Sequence, residues 1–212
     1  MSRELVCSSS FSIAMAVLAC ALAGSAMADE AAGKASHQAE PRMTPEQMAE
    51  MEAYMRAGTP GPQHERLASK AGEYDVLVRS FHDPSGTPME EKGTAVRKVE
   101  LDGRVMTEHF KGSMMGMPFT GHGMTGYDNV TGKYWSTWND SMSTGIMVSE
   151  GTCDEKDACT FMGTWNDAVK KGPVTARMTT RWKSPTVQIF EMHGPGPDGK
   201  EMKMMELTYT KK

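Results

Sequence analysis

From Gly72 to the C-terminus, apolar residues recur at every second position, in ten short runs joined by connections too short to hold a helix. The runs cover roughly 73–82, 91–100, 104–111, 117–126, 132–139, 143–151, 159–165, 174–183, 186–193 and 201–210. Turn residues punctuate them. Asp83-Pro84-Ser85-Gly86, Asp102-Gly103, Asp128-Asn129-Val130-Thr131-Gly132 and Pro195-Gly196-Pro197-Asp198-Gly199 all supply the dihedrals that reversals need. Parallel strands require a crossover of about a dozen residues, so the short connections favour antiparallel pairing in sequence order. Ten such strands lose their exposed edges most economically by closing into an up-and-down barrel. The expected fold is therefore mainly β, a single antiparallel barrel of about ten strands spanning 72–212. A barrel of that size has room inside for a small ligand.

Upstream of Gly72 the period is helical. Thr44 is placed as an N-cap, Pro45 as the first helical residue, and Glu46 and Gln47 fill the first turn. Met48, Met51 and Met55 then form a stripe that Gly58 can close. Thr59-Pro60-Gly61-Pro62 breaks the chain, and a second short helix is expected from Gln63 to Lys70 with Leu67 as its apolar anchor. The helical segment 44–71 is expected to cap one mouth of the barrel. Residues 29–43 lack an apolar period and read as a disordered tether.

The first 28 residues read as a signal peptide. Arg3 gives a positive start, and the uncharged run Phe11 to Ala23 is too short for a mature membrane helix. Ala26-Met27-Ala28 places cleavage after Ala28, hence a periplasmic or secreted protein. Lipoprotein processing at Cys20 is the competing reading; Leu18 is bulky for it, and apolar sequence continues beyond Cys20. No second apolar run is long enough to span a bilayer. A net charge of −4 without a basic patch argues against a nucleic-acid partner.

Export leaves two cysteines, Cys153 and Cys159, in an oxidising compartment where a bridge persists. Their flanks resemble strand ends, so a disulfide would pin a hairpin loop at a gain of about 2 kcal/mol. No helix start adjoins them to lower a thiol pKa, and no histidine or further cysteine lies near in sequence to complete a metal site.

Several uncommon words occur in a fixed order: Gly112-Ser-Met-Met-Gly-Met-Pro-Phe119, Gly126-Tyr-Asp-Asn129, Trp138-Asn-Asp-Ser-Met-Ser-Thr-Gly-Ile-Met-Val-Ser-Glu-Gly151 and Gly196-Pro-Asp-Gly-Lys200. With Leu101-Asp-Gly-Arg104 and Arg177, they resemble the bacterial family called domain of unknown function 1579, from about His64 to the C-terminus. The resemblance implies a lipocalin-like barrel and no assigned activity. The family usually has Trp after the Gly-Glu of the first strand, where this chain has Tyr74. Gly72-x-Tyr74 is also similar to a weakened lipocalin Gly-x-Trp entry.

Alternation selects the candidate site. Tyr134, Ser136, Trp138 and Asp140 share one face of the fifth strand, and the opposite face carries Lys133 and Asn139, so the Trp138 face is expected inside. Arg104, Met106, Glu108 and Phe110 share a face of the third strand; Arg177 lies with Thr179 and Arg181 on the eighth. Inward charges must be paired or solvated, and a charged, aromatic-lined interior suits a small apolar or amphipathic ligand. The expected ligand-binding residues are Glu108, Trp138, Asp140 and Arg177, supported by Arg104; a structural ion network is the competing reading. An enzyme using Asp140 or His122 as a base is a second functional class, though no nucleophile with a placed base is visible. A third is a periplasmic copper protein built on Met114, Met115, Met117, Met202, Met204 and Met205 with His109 and His122, since thioethers favour Cu(I). Flexible Met filling a core explains the same residues, and no metal or other cofactor is expected. His64, beside Glu65, reads as solvated, and His193 as an exposed strand end rather than a haem ligand.

Overall fold

The structure is a computed structural model that describes residues 43–82, 86–196 and 198–212. The leader, nearly all of the tether, and most of the Asp83–Gly86 turn lie outside the described residues. Two helices, α1 (Pro45–Gly58) and α2 (Pro62–Ala68), precede ten strands. The strands are β1 (Gly72–Ser80), β2 (Met89–Glu100), β3 (Val105–Met114), β4 (Met117–Asp128), β5 (Lys133–Asp140), β6 (Met147–Cys153), β7 (Cys159–Asp167), β8 (Gly172–Ser184), β9 (Val187–Pro195) and β10 (Glu201–Lys211). Each pairs antiparallel with its sequence neighbours, and β1 pairs with β10, so the sheet closes as a barrel. The closing register sets Tyr74 opposite Lys211 and Ser80 opposite Met205.

Local chemistry fixes the turns. Between β2 and β3, Asp102 and Gly103 have φ of 53° and 90°, and the Arg104 amide donates to the Leu101 carbonyl at 3.2 Å. Between β4 and β5, the Gly132 amide donates to the Asp128 carbonyl at 2.8 Å, and the Asp128 carboxylate accepts from the Val130 amide and the Thr131 hydroxyl. The sixth run begins later than alternation alone implies. Residues 141–146 form a loop because Asp140 accepts the Met142 amide and Ser143 Oγ accepts the Gly145 amide.

Alternation decides what is inside. Tyr74, Val76 and Val78 of β1 point inward with Ala95, Phe110, Phe119, Leu207 and Tyr209 to form the main apolar cluster. Glycine makes room for aromatics on both faces of the wall. A Cβ on Gly121 would fall 2.1 Å from the Trp138 ring inside, and one on Gly126 would fall 2.4 Å from Trp135 outside.

The helices divide their roles. The loops 101–104, 129–132 and 154–158 lie at the end of the barrel where α2 packs against β2, β3 and β4, and Leu67 is buried there with Met106 and Tyr134. This end is the floor. The opposite end, with residues 115–116, 141–146 and 168–171, is the rim. α1 starts as its sequence dictates, with Thr44 and Gln47 forming a reciprocal capping box. It does not cap the barrel: none of its residues is buried, and Met48, Met51 and Met55 are all more than half exposed. Only its C-terminal end is held, by Arg104 Nε donating to the Gly58 carbonyl and Asn129 Nδ2 to those of Ala57 and Thr59.

Candidate functional site

The inward side chains leave a cavity of about 470 Å³ along the barrel interior. Its wall is largely apolar, with Val78, Phe110, Phe119, Phe161, Met178 and Leu207 contributing from β1, β3, β4, β7, β8 and β10. Polar groups gather at two levels, one at the floor and one at the rim.

At the floor, Arg97 of β2 is the organising residue. Its Nε donates to Glu108 Oε2 at 2.5 Å and its Nη1 to Gln188 Oε1 at 2.7 Å. Tyr209 Oη donates to the other Glu108 oxygen at 3.0 Å. The guanidinium also lies over the rings of Tyr74 and Tyr209, 4.7 and 4.4 Å from their centroids. Arg97 is 7% exposed. Burial pulls its pKa down, but the Glu108 carboxylate and the two phenols outweigh burial and leave it above the ordinary value, so the cation stays charged. Burial beside Glu108 pushes the Tyr209 phenol up, which keeps it a neutral donor. The inward charges are thus paired by partners that hydrogen-bond them, as burial demands.

Beside this network lies Lys70, at the end of α2, also lining the cavity. It is 6% exposed. Its Nζ sits 3.6 Å from Asp157 Oδ1, and Arg66 Nη1 approaches the same oxygen at 4.0 Å. The Lys70 carbonyl accepts the Tyr74 hydroxyl at 2.6 Å, tying α2 to β1. Burial lowers the Lys70 pKa; Asp157 opposes this, while Arg97 and Arg66 add to it. Cys153 and Cys159, a cross-strand pair of β6 and β7, are joined by a disulfide and also line the cavity. His64 is buried rather than solvated. Its Nδ1 accepts the Gly61 amide at 3.0 Å, so the ring proton is on Nε2 and is donated to the Tyr127 carbonyl at 3.1 Å. The histidine thereby caps α2 and fastens it to β4.

At the rim, Asp140 Oδ2 accepts Trp138 Nε1 at 3.1 Å, and its Oδ1 accepts the Met142 amide at 3.0 Å. Both oxygens are engaged in shaping the mouth. Met142, Ile146 and Met147 complete that end of the cavity.

Three of the five expected site residues therefore face the cavity: Glu108, Trp138 and Asp140. Arg104 and Arg177 do not. Arg104 falls in the turn before β3, where it reaches Gly58. Arg177 belongs to the outer parity of β8 and forms a two-pronged pair with Glu201 at 3.0 and 2.7 Å. Glu108 is paired with Arg97, a residue that the alternation of the second run does not single out. A signal for it existed. A two-residue turn at Asp102-Gly103 fixes the register of the hairpin, and that register sets Arg97 opposite Glu108.

The other candidates disperse. His122 lies on the outer wall opposite His109, their ring centroids 4.4 Å apart, so it is not a base inside the barrel. Met114 lines the cavity, whereas Met115 and Met117 are about half exposed in and beside the β3–β4 turn. Among the described residues no three His, Cys, Asp or Glu side chains converge as a metal site. His193 lies in β9 opposite Arg177, with its Nδ1 buried and unpaired.

The barrel is similar to the crystal structure of Rv2717c from M. tuberculosis, with a TM-score of 0.56 over 73% of this chain and 99% of that one. Identity is 10%, so the likeness is one of fold. No curated protein matches the sequence. The model of the family described as a protein of unknown function, DUF1579, matches residues 59–211, which takes in α2 and the whole barrel, and the chain belongs to that family.

Proposed function

We propose that the barrel binds one small apolar or amphipathic molecule in its interior. The supporting observation is the cavity itself. At about 470 Å³ it falls within the usual range for ligand pockets, roughly 300–1,000 Å³, and its wall is mainly apolar with few polar groups. The buried charged groups Lys70, Arg97 and Glu108 lie at the floor, which favours an amphipathic occupant over a purely apolar one. Catalysis gains no comparable support: both Asp140 oxygens already accept hydrogen bonds, and His122 is outside. Export to the periplasm or beyond remains part of the proposal. The Cys153–Cys159 bridge supports it, because such bridges persist in oxidising compartments.

Uptake of N-phenyl-1-naphthylamine, a neutral dye that brightens in apolar surroundings, tests the reading. Saturable binding is expected, with competition by other lipophiles. Thr180→Phe, which places a ring at a cavity-lining position, should abolish it. Absence of saturable uptake by the native protein, together with no organic mass in native mass spectra of protein taken from its own compartment, would overturn the proposal.

A further inference from the structure

We propose that Lys70 is the anchor for a carboxylate, so that the barrel's ligand is a single-chain amphiphile with an anionic head, inserted head first. This rests on the reading of the cavity as a ligand site and names the ligand's class.

The argument begins with the charges at the floor. Arg97 is neutralised by Glu108 through a direct hydrogen bond, and Tyr209 and Gln188 complete that network. The second set is short of negative charge. Lys70 and Arg66 both approach the single carboxylate of Asp157, at 3.6 and 4.0 Å. The Lys70 contact is longer than a hydrogen bond, and Asp157 Oδ1 is itself buried without a hydrogen-bond partner. Lys70 thus lines the cavity while its ammonium shares one carboxylate oxygen with Arg66 and lacks a hydrogen-bonded acceptor there. A buried cation in that state is costly, and an incoming carboxylate oxygen would supply both the charge and the acceptor. Burial, assisted by Arg97 and Arg66, holds the Lys70 amine below its ordinary pKa, and Asp157 offsets only part of this.

The remaining wall sets the direction. Above the floor the wall is mainly apolar and aromatic, and Met142, Ile146 and Met147 stand at the rim beside Asp140, whose two oxygens accept from Trp138 and the Met142 amide. A chain whose head meets Lys70 would lay its tail along that wall toward the mouth. Entry tail first would instead set methylenes against Lys70 and Arg97.

Dodecanoate and dodecanol, which differ only in the head group, test the proposal by displacement of N-phenyl-1-naphthylamine. Native protein should prefer dodecanoate by about tenfold or more, the ratio for one charge-assisted hydrogen bond. Lys70→Met should lose the preference, with the dodecanoate-to-dodecanol affinity ratio falling to about one. Asp157→Asn, which removes the competing carboxylate, should increase the preference for dodecanoate, so a folding failure of one variant leaves the other informative. Equal binding of acid and alcohol by native protein, or an undiminished preference in Lys70→Met, would overturn the anchor and leave the ligand cavity standing. Binding of neither probe nor dye would overturn both.

Discussion

The two ends of the barrel are built from different materials. At the floor, four independent devices meet: the α2 plug with its His64 cap, the Arg97–Glu108–Tyr209–Gln188 network, the Tyr74 hydroxyl on the Lys70 carbonyl, and the disulfide. The network joins β2, β3, β9 and β10, and the other three devices each join two elements. At the rim, Asp140 and Ser143 each accept an amide two residues on, and Glu91 reaches across from β2 to accept the Met115 and Gly116 amides of the β3–β4 turn. Buried polar networks are costly when half satisfied and rigid when complete, so the floor behaves as a preformed base. These backbone contacts are solvent-exposed, the kind that open at low free-energy cost. If the cavity takes the ligand proposed above, this contrast makes the rim its expected way in.

The comparison breaks most readily at Arg97. Arg97→Met leaves Glu108 buried beside Tyr209 without its cation, and the expected loss is about 3–5 kcal/mol. Arg97→Met combined with Glu108→Met removes both charges and should recover most of that loss. Urea midpoints of the two variants measure this; a loss below about 1 kcal/mol in the single variant means the network does not organise the floor. Opening the Cys153–Cys159 bridge by Cys→Ala at both positions ranks next. The bridge closes a short loop, with a sequence separation of 6, so about 2 kcal/mol is expected from chain entropy. The disulfide lines the cavity, so dye affinity should fall with it, whereas a rim variant of equal instability should leave floor binding intact.

Acid distinguishes the ends in another way. Glu91 accepts the Gly116 and Met115 amides and the Ser113 hydroxyl, holding the β3–β4 turn at the rim. The Gly116 amide is the largest cause that holds its carboxyl below the ordinary 4.5; partial burial opposes it, and Met115 and Ser113 assist. With the folded value depressed, the stabilisation is complete above pH 4.5 and is lost as pH falls through that lower value. Hydrogen-exchange protection at Met115 and Gly116 should therefore fall in acid before protection at Tyr74 or Arg97 does. Glu91→Gln should remove the pH dependence of this turn; an unchanged profile would mean that Glu91 does not hold the rim.

The same contrast explains what the chain disclosed in advance. Ten strands and their closure follow from a period of two and short turns, because both are local properties. That Glu108, Trp138 and Asp140 face inward was legible because parity decides which side of a wall a residue faces. Arg104 and Arg177 do not face inward, for different reasons. Arg104 falls just outside the strand whose parity it was assigned, and Arg177 shares its face of β8 with Thr179 and Arg181, a polar outer row. Lys70 was illegible. Nothing in a short helix ending Ala-Ser-Lys indicates that its lysine will be folded under the barrel, because that depends on how α2 docks. Polar residues in a barrel wall can be found by alternation, but those brought in by a plug cannot.

The smallest effect belongs to α1, the element that most resembled a cap. Its Met48, Met51 and Met55 stripe has the helical spacing of a packing face, yet the described structure sets nothing against it. Replacing all three with Gln removes no buried contact and keeps good helix formers, so stability should change by no more than about 0.5 kcal/mol. Asn129→Ala, which frees the C-terminal end of α1 from its two carbonyl contacts, should be comparably mild in urea melts. Leu67→Ala on α2 supplies the reference, with a loss of about 2–5 kcal/mol expected for a buried leucine at the floor. A loss of that size from the methionine triple variant would mean that α1 is packed in solution and that the floor extends one helix further than the α2 plug.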